Sequence, residues 1–129
     1  MIVIDTHVWI WWIAGDDRLK PTWKTLLETA DQVGVSAVSC FEMAWLVRHQ
    51  RVEISISLRD WFHAALEGSE IQVLPLTPIV AETAAYLPEH HRDPQDRIII
   101  ATALSSGAQL LSADTRFKEY TELRDLLIS

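Results

Sequence analysis

The chain has 129 residues, 49% of them hydrophobic and only four of them glycine, which suits one well-filled core and excludes a disordered chain. Eleven basic against eighteen acidic side chains leave a net charge of −7, an argument against holding nucleic acid by bulk charge, because phosphate contacts rest on Lys and Arg. The apolar runs fall short of the ~18–20 residues of a membrane span, Met1-Ile2-Val3-Ile4-Asp5 lacks the basic start of a secretory signal, and the lone Cys40 excludes an intramolecular disulfide framework and suits a reducing cytoplasm.

Ile2-Val3-Ile4 is a β-branched run that reads as a buried strand ending at Asp5. Val8 to Ile13, apolar nearly all round and carrying Trp9, Trp11 and Trp12, reads as a short helix stopped by Gly15. Pro21 stands near the first position of a second helix that runs to about Ala30. Val33 to Val38 is a second strand, and Ser39-Cys40-Phe41-Glu42 has the capping-box spacing that opens a helix to about Gln50. Ser57 opens another, with Leu58, Trp61, Phe62, Ala65 and Leu66 at amphipathic spacing.

Ile71 to Leu74 is a third strand, followed by Thr77-Pro78 as cap and first residue of a helix to about Leu87. The polar loop Pro88 to Arg92 leads to Asp93-Pro94, which starts the helix Gln95 to Ser106, closed by Gly107. Gln109 to Ala113 is a fourth strand that stops at Asp114, and Leu126-Leu127-Ile128 adds a weak edge strand. Strands alternating with helices imply one α/β domain over residues 1–129: a central parallel sheet of four to five strands covered on both faces, three layers in all.

In such a sheet ligands gather at the carboxyl ends of the strands, and acids stand there. Asp5 follows the first strand and Asp114 the fourth, Glu42 is expected in the first turn after the second strand, and Asp96 in the first turn of the helix entering the fourth. Four carboxylates in one small space repel one another, and a divalent cation removes the conflict. With oxygen ligands and no Cys/His pair, Mg²⁺ or Mn²⁺ is the expected cation, able to activate water for attack on a phosphodiester. Thr6 and Ser112 are expected to hold metal-bound water or a substrate phosphate, and Arg92 and Arg97 are candidates for phosphate contact.

Each acid also has a purely structural explanation. Glu42 and Asp96 suit the third position of a helix, Asp93 suits the cap before Asp96, and Asp114 suits the start of a turn. His90-His91 reads as a solvated loop pair and His7 as helix-surface packing. A receiver-like signalling module also collects acids at strand ends, but needs a Lys at the end of a later strand, and none stands there. A metal-dependent phosphatase or DNA nuclease would use the same acids.

Taken together, Ile2-Val3-Ile4-Asp5-Thr6-His7, Ser39-Cys40-Phe41-Glu42, Asp93-Pro94-Gln95-Asp96-Arg97-Ile98-Ile99-Ile100-Ala101-Thr102-Ala103 and Leu110-Leu111-Ser112-Ala113-Asp114 resemble, in order and spacing, the PIN-domain family and its VapC-type toxins. The resemblance implies a PIN-like fold and a Mg²⁺- or Mn²⁺-dependent endoribonuclease with Asp5, Glu42, Asp96 and Asp114 as catalytic and metal-binding acids. It further implies a homodimer, cytoplasmic and inhibited by a small VapB-like antitoxin. The tryptophan-rich first helix is then expected to present an apolar patch to a partner. Asp93 is an additional acid near the site.

Overall fold

A computed structural model describes residues 1–129. Five strands, β1 (Ile2–Ile4), β2 (Val33–Ser36), β3 (Gln72–Leu74), β4 (Gln109–Leu111) and β5 (Leu127–Ile128), form one all-parallel sheet in the order β3-β2-β1-β4-β5. Six helices accompany it: α1 (Thr6–Ala14), α2 (Pro21–Thr29), α3 (Ala37–Arg48), α4 (Leu58–Phe62), α5 (Pro78–Tyr86) and α6 (Pro94–Ser106).

The alternation of side chains along β1 divides the core. Ile2 and Ile4 point to one face, where they meet Val8 and Trp9 of α1, Trp23 of α2, Met43 of α3 and Trp61 of α4. Val3 points to the other, onto Ile99, Ile100 and Ala103 of α6 with Phe117, Tyr120 and Leu123 behind them. Helix α5 lies outermost on that side, packing Val80 and Ala84 against Ala101. Both faces are thus covered, which is why the central strands carry no polar alternation.

The expected punctuation holds at most boundaries. Ser57, Thr77 and Asp93 each accept a hydrogen bond from the first turn of the helix they precede, and Gly15 and Gly107 close α1 and α6 at φ 65° and 60°, where a Cβ would be strained. The fifth strand is present, and Ser112 donates its backbone N–H to Ile128.

Three expectations are corrected. Helix α1 begins at Thr6 rather than Val8, because Asp5 caps it. Strand β2 ends at Ser36, whose hydroxyl caps α3, so Ser39-Cys40-Phe41-Glu42 is no capping box and Glu42 is the sixth helical residue, in the second turn. The third strand forms one edge of the sheet, with Val73 44% exposed. Trp9, expected on an exposed patch, is wholly buried at the centre of one core, edge-on to Trp61 at 5.0 Å, while Trp11 and Trp12 pack partly buried against the same core. A run apolar on every side is explained here by burial of Val8 and Trp9 and partial cover of Ile10, Trp11, Trp12 and Ile13.

Candidate active site

Parallel strands place their carboxyl ends on one edge, and the acids that follow them meet there. Asp5, Glu42, Asp96 and Asp114 all line one cavity of about 320 Å³, together with Asp93, Thr6 and His7.

Asp5 leaves β1 7% exposed. One carboxylate oxygen accepts the Val8 N–H at 2.9 Å and caps α1; the other accepts the Ser112 hydroxyl at 2.5 Å. Burial raises its pKa, against the pull of these two hydrogen bonds. Ser112 is wholly buried, and its oxygen also accepts the Asp114 N–H at 3.0 Å. It therefore ties the ends of β1 and β4 together and positions two acids. The expectation of direct substrate or water contact gives way to this positioning role, because the side chain is wholly buried and its one proton is given to Asp5.

Glu42 reaches the site from the second turn of α3. The Thr6 hydroxyl lies 2.6 Å from its carboxylate and 2.9 Å from the Ser39 hydroxyl. Thr6 has one proton, and the carboxylate can only accept, so Thr6 donates to Glu42 and Ser39 donates to Thr6. Thr6 thus orients Glu42 while lining the cavity.

Asp93 and Asp96 divide the roles expected of the start of α6. Asp93 caps the helix through Gln95 N–H at 3.0 Å, with Pro94 at the first position, where its missing donor costs nothing. Asp96, third in the helix, turns into the cavity instead of reaching back. Burial first, then the charges of Asp93 and Asp114, push its carboxyl up to about 7, against the lowering pull of Arg116. Asp114 is held below the usual carboxylate range, chiefly by its hydrogen bonds from Arg116.

Arg116 is a site residue that the sequence reading missed. Its guanidinium is 2.6 Å from Asp114 and 3.1 Å from Asp96, bridging two acids that come from different elements. The local spacing alone is no signal, because Asp16 and Arg18 make the same turn with the same two-residue separation, at 2.7 Å, with no second acid paired to the guanidinium. Contact with Asp96 is what distinguishes Arg116, and that contact is tertiary. His91 was missed too. Rather than a solvated residue, it is stacked on Phe117 at 5.9 Å, has Nδ1 3.1 Å from the Tyr120 hydroxyl and Nε2 3.5 Å from Asp96. Burial, then Arg116, lowers its pKa and favours the neutral ring.

Arg97 is the plainest correction. Only 8% exposed, it donates to the carbonyls of Ala84, Ala85, Leu87, Pro88 and His91. It stitches the end of α5 and the following loop onto α6 and has no hydrogen-bonding capacity left for a phosphate. Arg92 lines a groove beside Arg97, away from the acids.

The donor chemistry of the cavity fits a hard divalent cation: carboxylate oxygens from five acids, two of them, Asp5 and Asp96, with pKa values raised chiefly by burial. No three acids yet form a closed cage. Asp96 and Asp114 are turned onto Arg116, which supplies in their corner the positive charge the carboxylates require.

A sequence model of the PIN domain matches residues 2–123. Ribonuclease VapC22 of Mycobacterium tuberculosis is 34% identical over 128 residues, covering 98% of this chain and 97% of that protein. Among solved structures, a toxin–antitoxin complex from Klebsiella pneumoniae has a chain that matches with a TM-score of 0.71 at 20% identity, over 100% of this chain and 97% of the other. A chain of VapBC2 from Rickettsia felis, bound to a DNA fragment from its promoter, matches with a TM-score of 0.71 at 15% identity, over 99% and 98%. At such identities these two structures speak for the fold.

Proposed function

Since this chain belongs to the PIN domain family, we propose that it is a VapC-type endoribonuclease, dependent on Mg²⁺ or Mn²⁺, that acts as the toxin of a toxin–antitoxin pair. The observation that carries the reading is the meeting of Asp5, Glu42, Asp96 and Asp114 on one cavity at the carboxyl edge of the sheet. The name of the Mycobacterium tuberculosis relative supports ribonuclease activity, and the solved toxin–antitoxin complexes support an antitoxin partner.

In this reading Asp5, Glu42, Asp96 and Asp114 hold the cation. When bound, the cation supplies an activated water and stabilises charge on the phosphate. The chain's own residues do the positioning. Ser112 and the Val8 N–H fix Asp5, Thr6 fixes Glu42, and the Asp93 cap sets the first turn of α6 from which Asp96 projects. No Lys lines the acid cavity, which removes the support for a receiver-like module.

A homodimer in the cytoplasm, silenced by a VapB-like antitoxin, completes the proposal. The exposed apolar side chains Phe41 and Trp45 on α3 and Ile79 and Tyr86 on α5 are the surfaces offered to such partners. The deciding experiment incubates the purified protein with total RNA in Mg²⁺, Mn²⁺ or excess EDTA and maps the cleaved ends. Cleavage that needs the cation and leaves 5′-phosphate and 3′-hydroxyl ends is expected; full activity in EDTA, or 2′,3′-cyclic phosphate ends, overturns the mechanism.

A further inference from the structure

Beside the acid cavity lies a second of about 330 Å³, and the two share Trp11, Ala113 and Asp114. The second has the opposite character. It carries Arg18, Lys20 and Lys118 on a chain with a net charge of −7, and its one acidic side chain, Asp114, is already paired with Arg116 at 2.6 Å.

Two of the three basic groups stand over indoles: Lys20 Nζ is 4.6 Å from the Trp23 ring centroid and the Arg18 guanidinium 5.3 Å from that of Trp11. Arg18 is also committed to Asp16 at 2.7 Å. Lys20 and Lys118 form no ion pair, so their charge is available to a ligand. A cationic groove lined with aromatic rings is the arrangement that holds single-stranded nucleic acid, phosphates on the cations and bases on the rings.

We propose that this groove is the track of the RNA strand running out of the acid cavity, with Lys20 and Lys118 gripping phosphates next to the one cleaved. This rests on the ribonuclease reading above. RNA is favoured over an acidic protein segment because the groove and the acid cavity share a wall. A strand whose reacting phosphodiester sits among the carboxylates continues directly into it. The groove also answers the objection raised by the overall charge, since local cations offset the repulsion where the strand passes.

The test compares wild type with Lys20→Gln/Lys118→Gln, with Lys20→Arg/Lys118→Arg, and with Arg59→Gln, which removes a cation on α4 from outside both cavities. Cleavage of a fluorescein-labelled 12-nucleotide RNA is measured in Mn²⁺ over a range of NaCl, and each variant's fold is checked by thermal melting. The double Gln variant is expected to raise KM about tenfold with kcat little changed. It is also expected to flatten the dependence of log KM on log salt by roughly 1.4, the single-strand value for two phosphate contacts. The double Arg variant should restore both, and Arg59→Gln should change neither.

If the double Gln variant matches Arg59→Gln in KM and salt slope while wild type cleaves normally, the groove assignment is overturned and the nuclease reading stands. If RNA kinetics are unmoved but binding of a poly-Glu decamer is lost, the groove serves an acidic protein segment, and the RNA assignment is likewise overturned. A wild type that leaves RNA intact in every cation defeats the nuclease reading itself and the groove assignment with it.

Discussion

Asp96→Asn separates function from stability, because the two should move in opposite directions. In the metal-free protein the Asp96 carboxyl is raised from 3.8 to about 7, first by burial and then by Asp93 and Asp114. Between those pH values the folded chain keeps a proton that the unfolded chain has released. Stability therefore falls as pH rises through that window and levels off above about 7. A rise of this size corresponds to about 4 kcal/mol. Solvent at the cavity mouth and charge sharing with neighbouring acids reduce it to about 2 kcal/mol.

Asn removes the ionisation, and with it the pull of Arg116 already contained in that value, and gives up at most ~1 kcal/mol from an acid near a helix start. A net gain of about 1 kcal/mol in urea melts at pH 8 in EDTA is expected, with a flatter pH profile from 5 to 8 than wild type. In Mn²⁺ the order should reverse, since wild type gains binding energy that the variant forfeits. Cleavage should fall by at least ~100-fold, on the scale of a lost electrostatic group at a reacting phosphate. A variant less stable than wild type at pH 8 in EDTA, or a wild type whose stability does not change across that pH range, would refute the reasoning.

Asp93→Ala should cost roughly 1 kcal/mol, the usual value of a helix cap, and keep much of the activity, as urea melts and RNA cleavage will show; an inactive but fully stable protein would make Asp93 the ligand instead. Arg116→Gln releases Asp96 and Asp114, and calorimetry should find Mn²⁺ bound several-fold more tightly; weaker binding would mean that Arg116 builds the cation site rather than competing for it. Arg97→Met strands several carbonyls at the end of α5 and should cost roughly 2–4 kcal/mol in a denaturant melt, which a phosphate-binding arginine would not. Ser112→Ala should lower kcat with little change in fold, because Asp5 loses its 2.5 Å donor; unchanged kcat would deny Ser112 its positioning role.

Local chemistry made much of this protein legible in sequence. Short apolar runs and turn residues identified four strands and left the fifth as a weak edge. Thr77-Pro78 and Asp93-Pro94 marked two helix starts through their caps, and strand-end acids pointed to the carboxyl edge. Those signals work because they depend on neighbours within a few residues. Where local patterns were ambiguous they misled: Ser36 and Ser39 both suit a cap, and only the pairing of Ser36 with Leu74 in the sheet decided which residue ends the strand.

The rest was decided between segments distant in the chain. Arg97 looked free beside the acids, yet its helical position turns it to the end of α5 and the loop after it, where five carbonyls await it. Arg116 has the same local pattern as Arg18, and only the approach of α6 adds Asp96 to its contacts. Charge shows the distinction most plainly. Composition fixes a net of −7, but Coulomb interactions act over distances in space, so whether an RNA meets repulsion or a groove with two unpaired lysines depends on how the fold sorts those charges over its surface.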